Sequence, residues 1–396
     1  MSNFFYNLLL LQPVEWVTLV VLFTACAVQL FFYLHYYTAV IRYNRPFSKT
    51  NAADAPLSHQ AQPPVSVIIC ARNEAENLVT FLPLVLEQAY PEFEVIVVND
   101  GSSDNTEEVL ASLKQRYPYL YITTIPNGAR TLSPKKLAVT VGIKAAKHEL
   151  LLFTDADCRP NTPNWIASMV EQFDDRTEFV LGYGGYFKEK TVINSLICFD
   201  TLFIAMQYFG FAFFGKPYMG VGRSMAYRKS VFFRARGFAG HLHIASGDDD
   251  LFVNATATGD NTRIACSAAS KTLSVPKKTF KEWKTQKTRH LTTSHLYTQS
   301  SKNQLVIEPV TRGLFYLSFI VVCFSGQWLL AGSGIALFLL RYLTQVIVIN
   351  VTAKHLQERK FYLSLPLWDI LLPLLTVYMS FTGSSKKKNH AGNWHA

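Results

Sequence analysis

The chain has 396 residues, of which 49% are hydrophobic, 14% aromatic and only 17% charged, a charged fraction that is low for a purely soluble protein. Lysines and arginines outnumber acidic residues by 38 − 28 = 10, and this excess suits an anionic partner: phospholipid, a phosphate-bearing substrate or nucleic acid. Six cysteines are scattered without a CxxC or histidine pairing, which indicates small buried apolar residues in a reducing compartment rather than a disulfide framework or a zinc site.

The first predicted element is a transmembrane helix within Pro13–Ile41, a long apolar span. It exceeds the length needed to cross about 30 Å of hydrocarbon at about 1.5 Å per residue. A signal peptide is the alternative, but no Lys or Arg precedes the span and no small-residue cleavage site follows it. Arg42, Arg45 and Lys49 follow directly, which predicts that the next region lies in the cytoplasm.

Residues 42–64 read as a polar linker, and residues 65–305 as one cytoplasmic domain in which strands and helices alternate. Strands are predicted at Val65–Cys70, Glu94–Val98, Tyr121–Thr124 and Leu150–Phe153, and helices at Asn73–Gln88, Asn105–Arg116 and Lys135–Lys147. Such alternation with short connections predicts a parallel sheet with right-handed crossovers.

Acidic residues follow three of these strands: Glu74, Asp100 and the pair Asp155 and Asp157. The carboxyl ends of parallel strands are where α/β proteins bind ligands. Two carboxylates one residue apart repel each other unless a hard cation such as Mg²⁺ or Mn²⁺ lies between them. A strand ending in a simple Asx turn is the alternative interpretation of the Asp-Ala-Asp sequence.

Two later segments of the domain have more than one interpretation. Ile193–Gly215 is long and apolar but carries Asp200 and Gln207, so it is interpreted as an amphipathic segment against the membrane, with a transmembrane helix as alternative. Lys271–Arg289 holds seven basic residues and one acid. This basic run is either a solvated face or a surface that meets anionic lipid or pyrophosphate.

Residues 306–383 form the predicted C-terminal membrane region, with crossing helices at Gly313–Leu330 and Gly334–Val351. A third apolar span, Phe361–Phe381, is flanked by positive charge on both sides, which favours a re-entrant or interfacial segment with both ends in the cytoplasm. A full crossing is the alternative. Residues 384–396, which include Lys386–Lys388, form a predicted basic cytoplasmic tail of a multi-pass membrane protein.

Six ordered motifs within about Pro64–His290 resemble the membrane-anchored, inverting glycosyltransferases of family 2. They are PVSVIICARNEAENL, VIVVNDGSSDNT, LLLFTDADCRP, GRSMAYRKSVF, SGDDDLF and QKTRH. The resemblance implies an α/β, GT-A nucleotide-sugar-binding domain with a mainly parallel sheet, flanked by N-terminal and C-terminal transmembrane helices.

The resemblance also implies roles on the donor side. Glu74 and Asp100 would accept hydrogen bonds from uracil or ribose, and Lys135 takes the place of the family's lysine after the third strand. Asp157 would bind a divalent metal, Mg²⁺ or Mn²⁺, with Asp155 as a second ligand or a ribose contact. Asp104 is either a further donor contact or a helix cap.

On the acceptor side, Asp248–Asp250 resembles the acidic motif that supplies the general base. Counting back from Gly259 gives Asp248 the base position, with Asp249 as rival. Crowding of three carboxylates predicts that at least one pKa is raised. Gln286 and Arg289 match a motif of processive synthases, in which Arg289 would clamp diphosphate, but His290 replaces the tryptophan on which an acceptor sugar stacks.

The sequence therefore predicts a glycosyltransferase that takes a sugar from a nucleotide sugar, preferably a UDP-sugar. The predicted acceptor is a lipid-linked saccharide or another glycan, and the protein is expected to contact membrane lipids. A processive polysaccharide synthase is the first alternative, and the substitution at His290 counts against it. A non-catalytic envelope-assembly scaffold is the second, and the presence of every expected acidic residue counts against it. Nucleic-acid binding is not expected, because no aromatic-basic ladder is present.

Overall fold

The computed structural model of the protein describes residues 12–43, 62–126, 133–242, 244 and 246–384. Arg45, Lys49 and Lys386–Lys388, on which part of the predicted topology depends, lie outside the described residues, as do most of the predicted linker and almost all of the predicted tail.

Ten strands form two sheets in the described part of the chain. They are β1 Val65–Ala71, β2 Phe93–Asn99, β3 Leu120–Thr124, β4 Leu150–Asp155, β5 Cys158–Pro160, β6 Phe179–Gly182, β7 Gly184–Tyr186, β8 Met225–Arg228, β9 Thr262–Ala265 and β10 Thr272–Ser274. The large sheet has the order β3-β2-β1-β4-β8-β6-β9, and the small sheet has the order β5-β10-β7.

The helices include several long enough to cross a membrane. They are α1 Pro13–Phe31, α2 Ala39–Arg42, α3 Ala75–Leu86, α4 Thr106–Arg116, α5 Pro134–Ala145, α6 Trp165–Val170, α7 Val192–Phe213, α8 Lys229–Arg234, α9 Asp250–Thr256, α10 Phe280–Leu291, α11 Gln299–Cys323, α12 Trp328–His355 and α13 Leu365–Ser384. A π-helical turn, Phe32–Tyr36, joins α1 to the segment before α2.

The first four strands of the large sheet are parallel, as predicted, and each lies within two residues of its predicted position. All seven residues of β1 are buried, because helices cover both faces of a parallel sheet. The helix α5 packs closely on β1 at Gly142, where a Cβ atom would lie 2.6 Å from Ile68 Cγ2. This close approach fixes the position of Lys135 at the start of α5.

The helix α7 corrects the prediction for Ile193–Gly215. It is not an amphipathic segment: most of its side chains are buried within the protein, among them Phe199, Phe203 and Phe209. It packs between the sheets and the N-terminal π-helical turn, where a Cβ atom on Gly210 would lie 2.5 Å from the carbonyl oxygen of Tyr36. A helix that is apolar on all sides is buried either in lipid or inside a protein, and α7 is buried by the rest of this protein.

Four helical segments are long and apolar enough to span a membrane: Pro13–Arg42, α7, α11 and α12. The helices α1, α11 and α12 pack against one another and expose apolar side chains such as Leu317 and Ile347 outward. The predicted crossings at Gly313–Leu330 and Gly334–Val351 correspond to α11 and α12. The third predicted span, α13, is one continuous helix that includes Pro373.

A buried polar network joins these helices. The Arg341 guanidinium on α12 donates to Asp369 on α13 at 2.8 Å and to Gln29 on α1 at 2.9 Å. On α11, Arg312 pairs with Glu308 at 2.6 Å. Arg312 also lies 3.4 Å from Asp369 of α13, so the contacts of Arg312 and Arg341 with Asp369 and Gln29 join α1, α11, α12 and α13. Buried charged side chains are stable only when they are paired in this way.

Candidate active site

The site lies at the carboxyl edge of β1, β2 and β4, and two of its loops fix each other. After β1, the Asn73 side chain accepts a hydrogen bond from the Ser103 amide at 2.7 Å, and the Asn73 amide donates to Ser102 Oγ at 3.0 Å. Asn73 has a φ of +56°, a left-handed conformation that asparagine tolerates better than most residues. The loops that carry Glu74 and Asp100 are therefore held together before any ligand binds.

Glu74 and Asp100 lie where the sequence predicted them. Burial raises the pKa of Glu74 to about 7, and the nearby charges of Asp157 and Asp155 add to this effect. Asp100 is buried 3.9 Å from Arg72. Asp104 accepts hydrogen bonds from the amides of Thr106, at the start of α4, and Ala75, at the start of α3. These contacts favour the cap interpretation of Asp104.

Asp155 and Asp157 form a site whose chemistry fits a hard divalent cation. Their ligand oxygens and the Cys158 sulfur lie within 4.8 Å of one another. Burial, and then the charge of Asp155, raise the pKa of Asp157, a repulsion that a cation would relieve. Burial raises the pKa of the Cys158 thiol well above its usual range. Hard divalent cations prefer oxygen to sulfur ligands, so the two carboxylates are the ligands that fit. The residues present therefore fit Mg²⁺ or Mn²⁺.

Lys135 connects this pair to the acidic triple. Its ammonium group lies 3.2 Å from Asp155 Oδ1 and 3.5 Å from Asp248 Oδ2. Burial tends to lower the pKa of Lys135, but the carboxylates of Asp155 and Asp248 outweigh burial and keep it charged. Lys135, Asp155, Asp248 and Asp249 line one cleft, which opens to solvent. One lysine thus faces both predicted catalytic centres.

The three carboxylates of the triple have different surroundings. Asp249 accepts the Gly222 amide at 2.8 Å and the Asp250 amide at 2.8 Å, so it caps α9. Asp250 points away from the cleft and accepts hydrogen bonds from Tyr297, at 2.8 Å, and Thr293. Asp248 lies 3.5 Å from the Lys135 ammonium group and has a side chain 10% exposed. Asp248 and Asp249 therefore both line the cleft, but Asp249 is also held by two backbone amides, whereas Asp248 is held by Lys135.

The predicted pKa shift within the triple is present. Burial, with the charges of Asp248 and Asp250, raises the pKa of Asp249 to about 7, although Lys135 and the Gly222 amide oppose the rise. Burial also raises the pKa of Asp250. At neutral pH the cleft therefore holds a carboxyl group near its midpoint of ionisation.

The QKTRH sequence lies on α10 beside the cleft. Gln286 hydrogen-bonds with Tyr186. Burial tends to raise the pKa of Asp155, but Lys135, with smaller effects from Arg223 and Arg289, holds it below its usual range. His290 is exposed. Between these residues, Lys287 is buried and pairs with Asp200 of α7 at 2.6 Å, which anchors α10 to the core.

Sequence reasoning missed two basic residues at the site. Lys136 is fully buried and donates to the carbonyl oxygens of His241 at 2.6 Å and Ile244 at 2.9 Å, in the loop that leads to Asp248. Burial lowers the pKa of Lys136 to about 8. Arg223 stacks on the Tyr186 ring at 4.3 Å, close enough to Asp155 and Asp157 to affect the pKa of each. The sequence around Lys136 and Arg223 contains no pattern that shows that these side chains point towards the site.

Comparison with known proteins identifies the domain. Residues 66–234 match the family model described as Glycosyl transferase family 2. The chain carries a family 2 glycosyltransferase domain. The matched region contains the sheet edge, Asp155, Asp157 and the Gly-Arg loop, while Asp248 and α10 follow it in sequence.

Curated relatives share the glycosyltransferase domain over short stretches. The chain is 33% identical over 113 residues to a poly-beta-1,6-N-acetyl-D-glucosamine synthase of Staphylococcus epidermidis, covering 28% of this chain and 26% of that protein. It is 36% identical over 101 residues to glycosyltransferase AglE of Haloferax volcanii, covering 25% of this chain and 32% of that protein. The aligned region thus spans only about a quarter to a third of each relative.

A solved structure shares the fold over almost the whole chain. It is the mannosyltransferase PcManGT from Pyrobaculum calidifontis in complex with GDP-Man and Mn²⁺, with a TM-score of 0.60 and 17% sequence identity. The similarity covers 94% of this chain and 100% of that one. The predicted GT-A fold is confirmed, including the arrangement of the glycosyltransferase domain with flanking apolar helices.

Proposed function

We propose that this protein is a membrane-integral, inverting glycosyltransferase of cell-envelope glycan synthesis. It transfers a sugar from a nucleotide-sugar donor, a UDP-sugar, to a hydroxyl group of a lipid-linked saccharide, with its catalytic domain in the cytoplasm. The observation that carries the proposal is the contact of Lys135 with both Asp155 and Asp248. It supports a single cleft in which donor and acceptor chemistry lie side by side.

The donor binds along the carboxyl edge of the sheet. Glu74 and Asp100 accept hydrogen bonds from the nucleoside, and Asp155 and Asp157 hold Mg²⁺ or Mn²⁺. When bound, the metal would neutralise the negative charge that develops on the departing diphosphate. Arg223 and Arg289 add positive charge on the same side of the cleft, because the guanidinium of each lies within electrostatic range of Asp155.

The acceptor hydroxyl attacks the anomeric carbon from the side opposite the diphosphate. Asp248 takes the hydroxyl proton as the new carbon–oxygen bond forms and the bond to the diphosphate breaks. Lys135 orients Asp248 at 3.5 Å and neutralises part of the charge shared with Asp155. Asp249 supports this arrangement by capping α9 and by holding the Gly222 amide at 2.8 Å.

The membrane helices favour a lipid-linked acceptor. Tyr43, which follows α2, hydrogen-bonds with Gln172 of the catalytic domain at 2.8 Å, and Lys284 on α10 donates to the Tyr378 hydroxyl on α13 at 2.9 Å. The catalytic domain therefore contacts the apolar helices on two sides. These contacts favour an acceptor whose lipid is held in the bilayer beside the catalytic domain.

A processive polysaccharide synthase is the second candidate. The similarity to poly-beta-1,6-N-acetyl-D-glucosamine synthase favours it, although the aligned region covers only 26% of that protein. His290 in the place of tryptophan, exposed beside the cleft, disfavours it, because a histidine ring offers less area on which a growing chain stacks. The length of the product distinguishes the two candidates.

The test is a donor screen with detergent-purified full-length protein. UDP-, GDP- and other nucleotide sugars are supplied one at a time with Mn²⁺, and release of the nucleoside diphosphate is measured with and without excess EDTA. The proposal predicts that at least one UDP-sugar is hydrolysed slowly in the presence of metal, and that EDTA stops the reaction. If no donor is hydrolysed or bound, the enzyme assignment is refuted and the scaffold alternative is favoured.

A further inference from the structure

The small sheet has two ends, and each end contacts a different part of the protein. Its central strand β10 pairs antiparallel with β5 and parallel with β7, so Ser274 lies opposite Cys158 and Tyr186 at one end. At the other end, Thr272 lies opposite Pro160 and Gly184. The sheet therefore connects whatever touches its Ser274 end to whatever touches its Thr272 end.

The Ser274 end contacts the candidate metal site. Ser274 Oγ donates to Asp157 Oδ2 at 2.9 Å, and the Cys158 thiol donates to Asp157 Oδ1 at 3.3 Å. Tyr186, opposite Ser274 on the other side, supports the Arg223 guanidinium at 4.3 Å. Both carboxylate oxygens of Asp157 are thus oriented by residues of the small sheet.

The Thr272 end contacts the loop between the membrane helices α12 and α13. Lys271, which directly precedes β10, is 1% exposed. Its ammonium group donates to Glu358 Oε1 at 2.5 Å and to the carbonyl oxygens of Leu356 at 3.0 Å and Gln357 at 3.3 Å. One buried lysine thus binds three consecutive residues of this loop.

The outer strands of the small sheet contact the same loop. Beside β5, Asn161 Nδ2 donates to Gln357 Oε1 at 3.1 Å. In β7, a Cβ atom at Gly185 would lie 2.5 Å from Glu358 Oε1, so the absence of a side chain there makes room for the glutamate. All three strands meet the membrane loop, which is unusual for a simple linker between two helices.

We infer that the loop Leu356–Phe361 between membrane helices α12 and α13 is a positioning element of the metal site. It sets the position of Asp157 through the buried Lys271–Glu358 pair and the three short strands. The inference rests on the proposed function, which supplies the metal at Asp157. It adds to that function a role for the loop between α12 and α13 in orienting Asp157. None of the six family-like motifs includes Lys271 or Glu358.

Physical chemistry supports a measurable effect. Residues that orient a metal ligand without touching the metal change its affinity by about 10- to 100-fold when they are replaced. Loss of Lys271 leaves the Glu358 carboxylate buried without its cation, and an uncompensated buried charge forces the loop to move. Since β10 has only three residues, movement at Lys271 is transmitted to Ser274 and hence to Asp157.

The experiment measures binding of Mn²⁺ alone to the detergent-purified full chain, from the electron paramagnetic resonance signal of free Mn²⁺. Lys271→Met is expected to raise the half-saturating Mn²⁺ concentration by about tenfold or more. Glu358→Gln, which keeps the size of the side chain, is expected to raise it by a smaller factor, about threefold. This second variant provides the measurement if Lys271→Met does not fold.

Lys287→Met is the matched control. It also removes a buried lysine from a carboxylate, Asp200, at 2.6 Å, but among the described residues no hydrogen bond or ion pair of Lys287 or Asp200 reaches the small sheet. It is expected to lower the thermal midpoint as Lys271→Met does, with Mn²⁺ affinity unchanged. Equal Mn²⁺ affinity in Glu358→Gln, Lys271→Met and wild type would overturn the inference, as would an equal loss in the control.

The inference and the proposed function fail in different ways. If a donor is hydrolysed in a metal-dependent manner but Mn²⁺ affinity is unaffected at Lys271 and Glu358, only the inference falls. If the variants shift Mn²⁺ affinity but no nucleotide sugar is ever used, the inference stands and the glycosyltransferase proposal falls.

Discussion

Replacement of Asp248 by asparagine tests the proposed base. Asparagine keeps the size of the side chain but cannot accept the proton of the attacking hydroxyl. Loss of a general base costs about 10²–10⁴-fold in turnover, or about 3–5 kcal/mol of barrier. Because Asp248 lies 3.5 Å from Lys135, and Lys135 keeps its closer contact with Asp155 at 3.2 Å, the donor side should be little disturbed.

Asp249→Asn is the matched control for this prediction. Asn and Asp are about equally good helix caps, so the variant keeps the start of α9 intact. Its single carboxamide oxygen replaces two acceptors, and we expect a loss of turnover of less than about tenfold. Single-turnover rates with the donor found in the screen, together with UDP titrations, separate chemistry from binding.

Two results would refute the assignment. If Asp249→Asn is inactive while Asp248→Asn turns over at a near-normal rate, the base is Asp249. If both variants keep near-normal rates, the triple only begins a helix, and an inverting reaction has no proton acceptor at this position.

The raised pKa of Asp249 gives a separate prediction for stability. The folded protein keeps the proton until about pH 7, whereas the unfolded chain loses it near 3.8. The native state is therefore penalised increasingly as pH rises from the lower value to the higher one. Asp249→Asn lacks this penalty, so its thermal midpoint relative to wild type should rise between about pH 5 and about pH 8. An unchanged difference would contradict the pKa shift.

Three further predictions follow from the site and the topology. Asp157→Ala should abolish transfer and weaken binding of metal and nucleotide, as measured by Mn²⁺ and UDP titration; full activity would exclude this aspartate as a ligand. Lys136→Met should lower stability by about 1–3 kcal/mol by leaving buried carbonyl groups unpaired, and should lower turnover more than UDP affinity; an unchanged denaturation midpoint would argue against its role. Cysteine labels near Lys49, Lys302 and Lys387 should all report the cytoplasm, and an external label at Lys387 would make the last span a full crossing.

The parallel half of the large sheet was predictable because short apolar runs alternate with helical patterns. A strand such as β1, buried on both faces, needs a continuous apolar sequence, and the polar residue that ends it is conspicuous. The same logic placed Glu74, Asp100 and Asp155 at one edge. Within this half of the sheet and its helices, element ends were predicted to within about two residues, whereas the predicted ends of the C-terminal helices differ by up to 14 residues from those of α11, α12 and α13.

The burial of α7 was not predictable from its sequence. A helix that is apolar on all sides is stable in lipid or inside a protein, and its composition is the same in both cases. Only the tertiary contacts, such as the close approach of Gly210 to Tyr36, show that protein rather than lipid surrounds α7. Asp200 and Gln207, which suggested a polar face, instead bind Lys287 and Tyr218 within the protein.

The connections across the site were also hidden. Lys135 and Asp248 are far apart in sequence, and no local pattern shows that one lysine joins both acidic centres. Lys271 and Glu358 are separated by 87 positions, and each looks like an ordinary charged residue near a turn. Pairing between distant segments depends on the complete fold, so these roles became visible only in three dimensions.

The most direct test of the central claim is the anomeric configuration of the first product. The donor identified in the screen is incubated with its acceptor, and the coupling constant of the new anomeric proton is measured by nuclear magnetic resonance. A single displacement, with Asp248 taking the acceptor proton, predicts that an α-linked nucleotide sugar gives a β-linked product. An α-linked product would contradict the account, because retention requires a different mechanism from the one proposed for this cleft.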